Sequence, residues 1–122
     1  MSDAATYDVA IVGAGPAGST CAAFCAQAGW RTLLLEKARF PRDKVCGDCV
    51  NPACWPVLER LGVADRVRAQ PHAQLAEVAF VSPRGRTLRI PLAASDRGEI
   101  AIPRRLLDAV LLDRARELGA EV

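Results

Sequence analysis

The sequence predicts an α/β fold built on a parallel sheet, and three observations near its start support this. A short apolar run, Tyr7 to Val12, ends at a glycine-rich segment that begins with Gly13. A helical pattern of apolar residues follows from Pro16, and a second apolar run occupies Thr32 to Leu35. Strand, helix and strand within about thirty residues form a βαβ unit, which is right-handed in nearly all known cases.

Each part of this unit has a local sequence signal. The first apolar run is expected to be a buried parallel strand covered on both faces. Pro16 suits the first turn of a helix, where its missing N–H costs nothing, and Gly29 suits the end. The helix is expected to bury one apolar face made of small and aromatic residues. That face comprises Ala17, Cys21, Phe24, Cys25 and Ala28.

The middle of the chain is predicted to be an insertion that carries a small β-hairpin. Ala38 to Asn51 is polar and is expected to be a loop, and a helix is expected from near Pro52 to Leu61. Leu75–Val81 and Thr87–Pro91 are predicted strands joined by a turn, because a Ser-Pro-Arg-Gly-Arg segment separates them. Ile100 to Ile102 is expected to be a further short strand.

A late helix is predicted from Pro103 to Leu118, with Gly119 ending it. Its inner side is expected to carry Leu107, Val110, Leu111, Arg114 and Leu118. Residues 120–122 resemble the beginning of another strand, so the sequence is interpreted as the N-terminal part of a larger domain whose remainder is missing. That part divides into a βαβ unit (about 6–37), an insertion (about 38–102) and the late helix (about 103–119).

Composition limits the classes of function. The chain has 122 residues, 51% hydrophobic and 25% charged, which fits one ordinary globular domain. A net charge of +2 is too small to indicate nucleic acid or an anionic membrane as an electrostatic partner. No apolar run approaches the roughly 18 residues that cross a bilayer, and the N-terminus lacks the pattern of a secretory signal. The expected location is therefore the cytoplasm, with the five cysteines reduced.

The glycine-rich segment and an acidic residue together predict a dinucleotide site. Gly13-x-Gly15-x-x-Gly18 follows a strand and opens a helix, and Glu36 ends the next strand. In this context Gly13 permits the tight turn, Gly15 lets the backbone approach a pyrophosphate, and Gly18 lets helix and strand pack closely. The helix N-terminus would receive the phosphates. This spacing is typical of the Rossmann fold.

Glu36 predicts which dinucleotide is bound. A carboxylate at this position would accept hydrogen bonds from the hydroxyls of the adenosine ribose and would repel a 2′-phosphate. FAD or NAD therefore fits better than NADP. The intervening residues Ala14, Pro16 and Ala17, and Lys37 beside the carboxylate, belong to the same predicted cofactor site.

With these residues the chain resembles the flavoprotein superfamily of aromatic hydroxylases, geranylgeranyl reductases and flavin-dependent halogenases. The resemblance rests on the segment from Tyr7 to Gly18 and on Leu35-Glu36-Lys37. It also rests on Phe40-Pro41-Arg42-x-Lys44-x-Cys46-Gly47 and on Ile102-Pro103-Arg104-x-x-Leu107-Asp108. The Cys46-Gly47 pair is most similar to the geranylgeranyl reductase branch.

The resemblance implies a Rossmann-like FAD-binding fold and further site residues. Cys46 and Gly47 are expected beside the flavin, and Arg104 near the pyrophosphate or the ribityl chain. Arg42 and Lys44 are weaker candidates for the flavin's surroundings. The implied activity is that of an FAD-dependent oxidoreductase, with NADH or NADPH as electron donor and the flavin supplying the redox chemistry.

Three functions stay open at the sequence level. The first is a geranylgeranyl-reductase-like enzyme that reduces carbon–carbon double bonds of an isoprenoid. The second is an FAD-dependent monooxygenase or halogenase that acts on an aromatic small molecule. The third is a non-catalytic module that binds a dinucleotide. A lipid substrate would allow peripheral contact with a membrane, although no segment of the sequence indicates one.

Two further features of the sequence favour ordinary interpretations. Cys46 and Cys49 have the spacing of a redox pair, but such a pair normally opens a helix, whereas these cysteines fall in a predicted loop. A zinc site normally has four ligands, and His72 is the only histidine. The cysteines are therefore interpreted as loop thiols near the cofactor, and His72 as a solvated or packed residue without catalytic function.

Overall fold

The computed structural model describes residues 6–45 and 47–122, and it is an α/β fold with a parallel βαβ start. Cys46, which the resemblance places beside the flavin, lies outside the described residues. We number the elements β1–β7 and α1–α4. They are β1 (Val9–Val12), α1 (Pro16–Gln27), β2 (Thr32–Leu35), β3 (Cys49–Val50), a 3₁₀ turn (Pro52–Cys54), α2 (Trp55–Arg60), α3 (Ala64–Arg68), β4 (Ala73–Gln74), β5 (Glu77–Val81), β6 (Thr87–Pro91), β7 (Ile100–Ala101) and α4 (Arg104–Glu117).

The predicted βαβ unit is confirmed. β1 and β2 pair in parallel, from Val9 opposite Thr32 to Val12 opposite Leu35. On the side of β2 away from β1, Glu121 forms a parallel β-bridge with Leu33. Residues 120–122 therefore begin a third strand, as predicted. The Glu121 carbonyl accepts a 2.7 Å hydrogen bond from the Leu34 N–H. The sheet order is therefore β1, β2 and then the Glu121 position.

The expectation that β1 is covered on both faces is not met within the part of the chain that the structure describes. Ala10 and Val12 are exposed, whereas Val9 and Ile11 are partly buried. β2 is asymmetric in the same way, with Thr32 and Leu34 buried. Only one face of this sheet is packed within the described residues. α1 contacts both strands, and α4 packs against α1.

The predicted apolar face of α1 is also wrong in part. Ser19, Ala22 and Ala23 are the buried residues, while Ala17, Cys21 and Ala28 are exposed. The small side chains allow close packing against α4, and the Ser19 hydroxyl is satisfied inside the protein because it donates to the Ala14 carbonyl at 2.9 Å. Helical periodicity alone could not separate this face from the neighbouring one.

α4 supplies much of the core. Leu107, Val110 and Leu111 are buried as predicted, and Leu112 and Ala115 are buried as well. Arg114 is only partly buried, and its Nε donates to the Leu61 carbonyl at 2.7 Å. The core continues through α2 and α3, where Leu58, Leu61, Val63 and Val67 are buried.

The insertion is more structured than the sequence predicted. β3 lies inside the predicted loop and pairs with β7, which also pairs with β4. The predicted helix is divided into a 3₁₀ turn, capped by the Asn51 side chain, and the short α2, while α3 was not predicted. The buried Trp55 fixes this region, because its indole Nε1 donates to the Gly98 carbonyl at 2.9 Å.

The predicted hairpin is confirmed, with β5 beginning at Glu77 rather than Leu75 and β6 spanning the predicted range. Among the described residues, no helix combines the length and the apolar character that crossing a bilayer requires.

Candidate functional site

The glycine loop has the conformation that its sequence predicts. β1 ends at Val12, and Gly13 follows with a φ of 98°, a conformation that side-chain-bearing residues rarely adopt. The Gly13 N–H donates to the Leu35 carbonyl at 2.7 Å, which joins the loop to the end of β2. Gly15 then caps α1 with extended backbone, and Pro16 opens the helix. The N-terminus of a twelve-residue helix therefore meets the carboxyl ends of two parallel strands.

Gly18 lies one turn into α1 and faces back toward the loop. A Cβ atom at this position would overlap the Gly13 carbonyl oxygen and would approach the Ile11 side chain to 3.5 Å. The predicted role of Gly18 in close packing of helix and strand is confirmed by these contacts.

Glu36 is bound to the same loop by its carboxylate. One oxygen, Oε2, accepts from the Ala14 N–H at 2.7 Å, and Oε1 accepts from the Ala38 N–H at 2.8 Å. The hydrogen bond from Ala14 has the larger effect and the one from Ala38 the next, and together they hold the pKa of Glu36 below its usual value. The positive charge of Arg42 lowers this pKa as well. The carboxylate is therefore ionised at neutral pH and stands beside the first residues of the glycine loop.

Because the pKa of Glu36 is lowered on folding, its charged form stabilises the folded state. This contribution is complete above the ordinary carboxyl pKa and is lost as pH falls through the lowered value. We expect Glu36→Gln to be less stable than the wild type at pH 7, since an amide nitrogen cannot accept from an N–H. The difference in the free energy of unfolding between wild type and variant should become smaller below about pH 4. Urea unfolding of both proteins from pH 7 to below pH 4 measures this difference. A difference that stays constant with pH would contradict a lowered pKa for Glu36.

A buried carboxylate connects two arginines beside the glycine loop. Asp108, on α4, is 0% exposed. It accepts from Arg104 in a two-pronged ion pair, Nε to Oδ1 at 2.8 Å and Nη2 to Oδ2 at 3.0 Å. Arg42 Nη1 lies 3.1 Å from the same Oδ2, and its guanidinium stacks 4.7 Å from the centre of the Phe40 ring. We call Arg42, Arg104 and Asp108 the arginine–aspartate cluster.

The cluster faces the glycine loop. A Cβ placed on Gly15 would lie 3.8 Å from Arg104 Nη2 and 3.9 Å from Arg42 Nη2. Arg42 Nη1 is buried and forms an ion pair with Asp108. It forms no hydrogen bond with any of the residues that the structure describes. Within the cluster two guanidiniums share one carboxylate, and the α1 N-terminus beside it carries a partial positive charge.

A groove of about 650 Å³ runs along this surface, and the glycine loop, Glu36, Lys37 and Arg42 line it. A second cavity of about 480 Å³ shares Asp43 and Lys44 with the groove and reaches Arg104. Both carboxylates, of Glu36 and Asp43, and cations, of Lys37, Arg42 and Lys44, line the groove.

Most of the residues predicted for the site come together. Gly13, Gly15, Glu36 and Lys37 line the groove, and the Ala14 N–H donates to Glu36. Pro16 lines a different cavity, together with Gly47. Gly47 also lies near Arg104, whose Nη1 would be 3.4 Å from a Cβ on Gly47. Ala17 is exposed on the first turn of α1 and points away from the core.

Sequence reasoning included Asp108 in a motif of the resemblance but assigned it no role, and it gave Arg42 little weight. Asp108 follows Arg104 by one helical turn, the spacing of an (i, i+4) ion pair, and this spacing could have identified it. No local pattern connects Arg42 to either residue, since the contact exists only after α4 packs beside the loop.

Comparison with known proteins agrees with this geometry. The model of a family described as an FAD binding domain matches residues 6–122. A menaquinone reductase of Mycolicibacterium smegmatis is 39% identical over 93% of this chain, and a geranylgeranyl diphosphate reductase of Rhodobacter capsulatus is 34% identical over 94%. A triple mutant of the flavin-dependent brominase Bmp2 superposes with a TM-score of 0.81 at 30% identity over 95% of the chain.

The matched region is a small part of each of these proteins. It spans 27% of both reductases and 29% of the brominase chain.

Proposed function

The chain belongs to the FAD-binding-domain family of flavin-dependent oxidoreductases and monooxygenases, and from this premise we propose that its groove holds the ADP half of FAD. The observation that carries the proposal is the convergence of two guanidinium groups on Gly15, at the start of α1. A pyrophosphate there would lie beside Arg42 Nη2 and Arg104 Nη2, the two guanidinium nitrogens nearest to Gly15. It would also occupy the space that a side chain at Gly15 would fill.

Each group along the groove has a proposed task. The backbone N–H groups at the start of α1 and the guanidiniums of Arg42 and Arg104 bind the pyrophosphate. Glu36 already accepts one hydrogen bond on each carboxylate oxygen, and the remaining lone pairs can accept from the ribose hydroxyls. Lys37 lines the same end, and Gly47 leaves room beside Arg104 for the chain that leads to the flavin.

The fixed charge of Glu36 favours FAD over a dinucleotide with a 2′-phosphate. Its lowered pKa keeps it ionised, and an additional phosphate there would meet a negative charge. When bound, the flavin would supply two-electron redox chemistry, and the residues of this chain would position it. NADH or NADPH is the proposed electron donor.

For the reaction itself we propose a reductase that acts on an isoprenoid, as the names of the two reductase relatives suggest. The second candidate is a flavin monooxygenase or halogenase acting on an aromatic small molecule, favoured by the superposition on the brominase. Activity assays on a polypeptide as long as these relatives would distinguish the two candidate reactions. A reductase should convert a polyprenyl substrate anaerobically with NADH or NADPH, whereas a halogenase should need oxygen and halide.

Arg104→Gln tests the proposed cofactor site. The variant loses charge-assisted hydrogen bonds, and we expect FAD to bind about tenfold to a hundredfold more weakly. Quenching of flavin fluorescence during titration measures the dissociation constant, with ADP expected to compete and riboflavin, which lacks the pyrophosphate, not to compete. Arg116→Gln, an exposed residue on the same helix, is the matched control. Equal FAD affinity in both variants, or binding of NAD without FAD, would contradict the proposal.

A further inference from the structure

Asp108 takes part in the arginine–aspartate cluster without forming part of the groove surface. Its side chain is 0% exposed, and it does not line the groove. It contacts Arg104 through both carboxylate oxygens and Arg42 through Oδ2. Both arginines belong to the proposed pyrophosphate site. Any effect of Asp108 on a bound nucleotide must therefore pass through Arg42 and Arg104.

The ion pair with Asp108 determines which edge of the Arg104 guanidinium faces the glycines. The carboxylate accepts from Nε and Nη2, which form one side of the planar guanidinium. Its end, formed by Nη1 and Nη2, lies toward two residues without side chains. A Cβ on Gly15 would be 3.8 Å from Nη2, and a Cβ on Gly47 would be 3.4 Å from Nη1. Such an edge has the geometry that binds phosphate oxygens in pairs.

Asp108 also holds the Arg42 guanidinium beside Gly15. Arg42 Nη1 lies 3.1 Å from Oδ2, the oxygen that accepts from Arg104 Nη2. The other terminal nitrogen of Arg42, Nη2, would be 3.9 Å from a Cβ on Gly15. The Phe40 ring stacks on this guanidinium and restricts it further. One carboxylate oxygen thus holds two mutually repelling cations at nearly the same distance from Gly15.

We propose that Asp108 is a positioning residue for the nucleotide pyrophosphate, because it holds both guanidiniums with a nitrogen of each facing Gly15 at the start of α1. This inference rests on the proposed cofactor site. It deepens that proposal by assigning part of the affinity to a buried residue that does not touch the ligand.

Charge alone predicts the opposite effect of this carboxylate. A negative charge near a bound pyrophosphate repels it, so removal of the Asp108 charge should by itself strengthen binding. If Asp108 acts by positioning, its removal lets the two arginines move apart, and binding of the pyrophosphate becomes weaker. The sign of the change in affinity therefore distinguishes positioning from simple electrostatics.

Asp108→Asn tests the proposal through calorimetric titration with ADP and with adenosine, which lacks the two phosphates. We expect ADP to bind about tenfold more weakly than to the wild type and adenosine to bind equally. Asp108→Glu keeps the charge and moves the carboxylate by one methylene, so it should weaken ADP binding by about threefold or more. Val110→Ala, at a buried apolar position of the same helix, controls for lost stability and should bind ADP as the wild type does. All titrations are run well below the unfolding temperature of each variant.

A double-mutant cycle measures whether Asp108 acts through Arg104. In the Arg104→Gln background, Asp108→Asn should weaken ADP binding by less than about threefold, because one of the guanidiniums that it positions is already absent. The full tenfold loss in that background would overturn the proposal. Unchanged or stronger ADP binding by Asp108→Asn, or an equal loss of adenosine binding, would overturn it as well. A wild type that does not bind ADP would overturn the proposed cofactor site, and this inference with it.

Discussion

Replacing Asp108 by alanine is expected to lower the free energy of unfolding by about 3 kcal/mol or more. The carboxylate is fully buried, and its loss removes the counter-charge that two largely buried arginine side chains, 18% and 12% exposed, share. Removing one partner from a buried ion pair is far more costly than removing an exposed one. Because small domains are stable by only about 5–15 kcal/mol, this is a large share of the total.

Urea unfolding followed by circular dichroism measures the effect, and Asp113→Ala provides the matched control on α4. Asp113 is exposed and pairs with Arg116 at 3.3 Å, so its loss should change the stability by less than about 1 kcal/mol. Asp108→Asn keeps the shape and removes the charge, and it should fall between the two. Stability of Asp108→Ala close to that of Asp113→Ala would show that the cluster is not a buried ion network.

Gly18→Ala is expected to destabilise the protein by about 3 kcal/mol. An alanine inside a helix normally stabilises by about 0.5–1 kcal/mol relative to glycine, so the expected sign is reversed. The reason is the overlap of the added Cβ with the Gly13 carbonyl oxygen, which belongs to backbone and cannot rotate away. Helix and strand must separate, and this displaces the N–H groups at the start of α1.

The same variant should bind FAD at least about tenfold more weakly, because misplaced backbone donors lose charge-assisted hydrogen bonds. Thermal unfolding and FAD titration measure the two effects. Cys21→Ala, at an exposed position of the same helix, should leave both near the wild-type values. A Gly18→Ala variant as stable as the wild type would mean that α1 can move from β1 without cost.

Local sequence signals were sufficient for the elements of the βαβ unit. The apolar run of β2 and the proline and glycine at the ends of α1 predicted their bounds closely, because turn and capping chemistry depends on neighbouring residues. The location of Glu36 beside the glycine loop followed from its position after β2.

Packing between distant segments could not be predicted in the same way. The buried face of α1 depends on α4, which the periodicity of α1 does not encode. Three of the five expected core residues are therefore exposed, Cys21 among them. Asp108 illustrates the same limit in the site. An acidic residue within a helix is normally interpreted as a surface residue, unless a cationic partner from another segment is known.

The position of Asp108 has a consequence for the order in which the protein assembles. The glycine loop is complete once the first βαβ unit has folded, but Arg104 and Asp108 belong to α4, which lies far along the chain. Contacts of such high sequence separation form slowly, since the intervening loop must first close. Nucleotide affinity should therefore appear late on the folding route, and the dinucleotide would stabilise the finished domain rather than template its beginning.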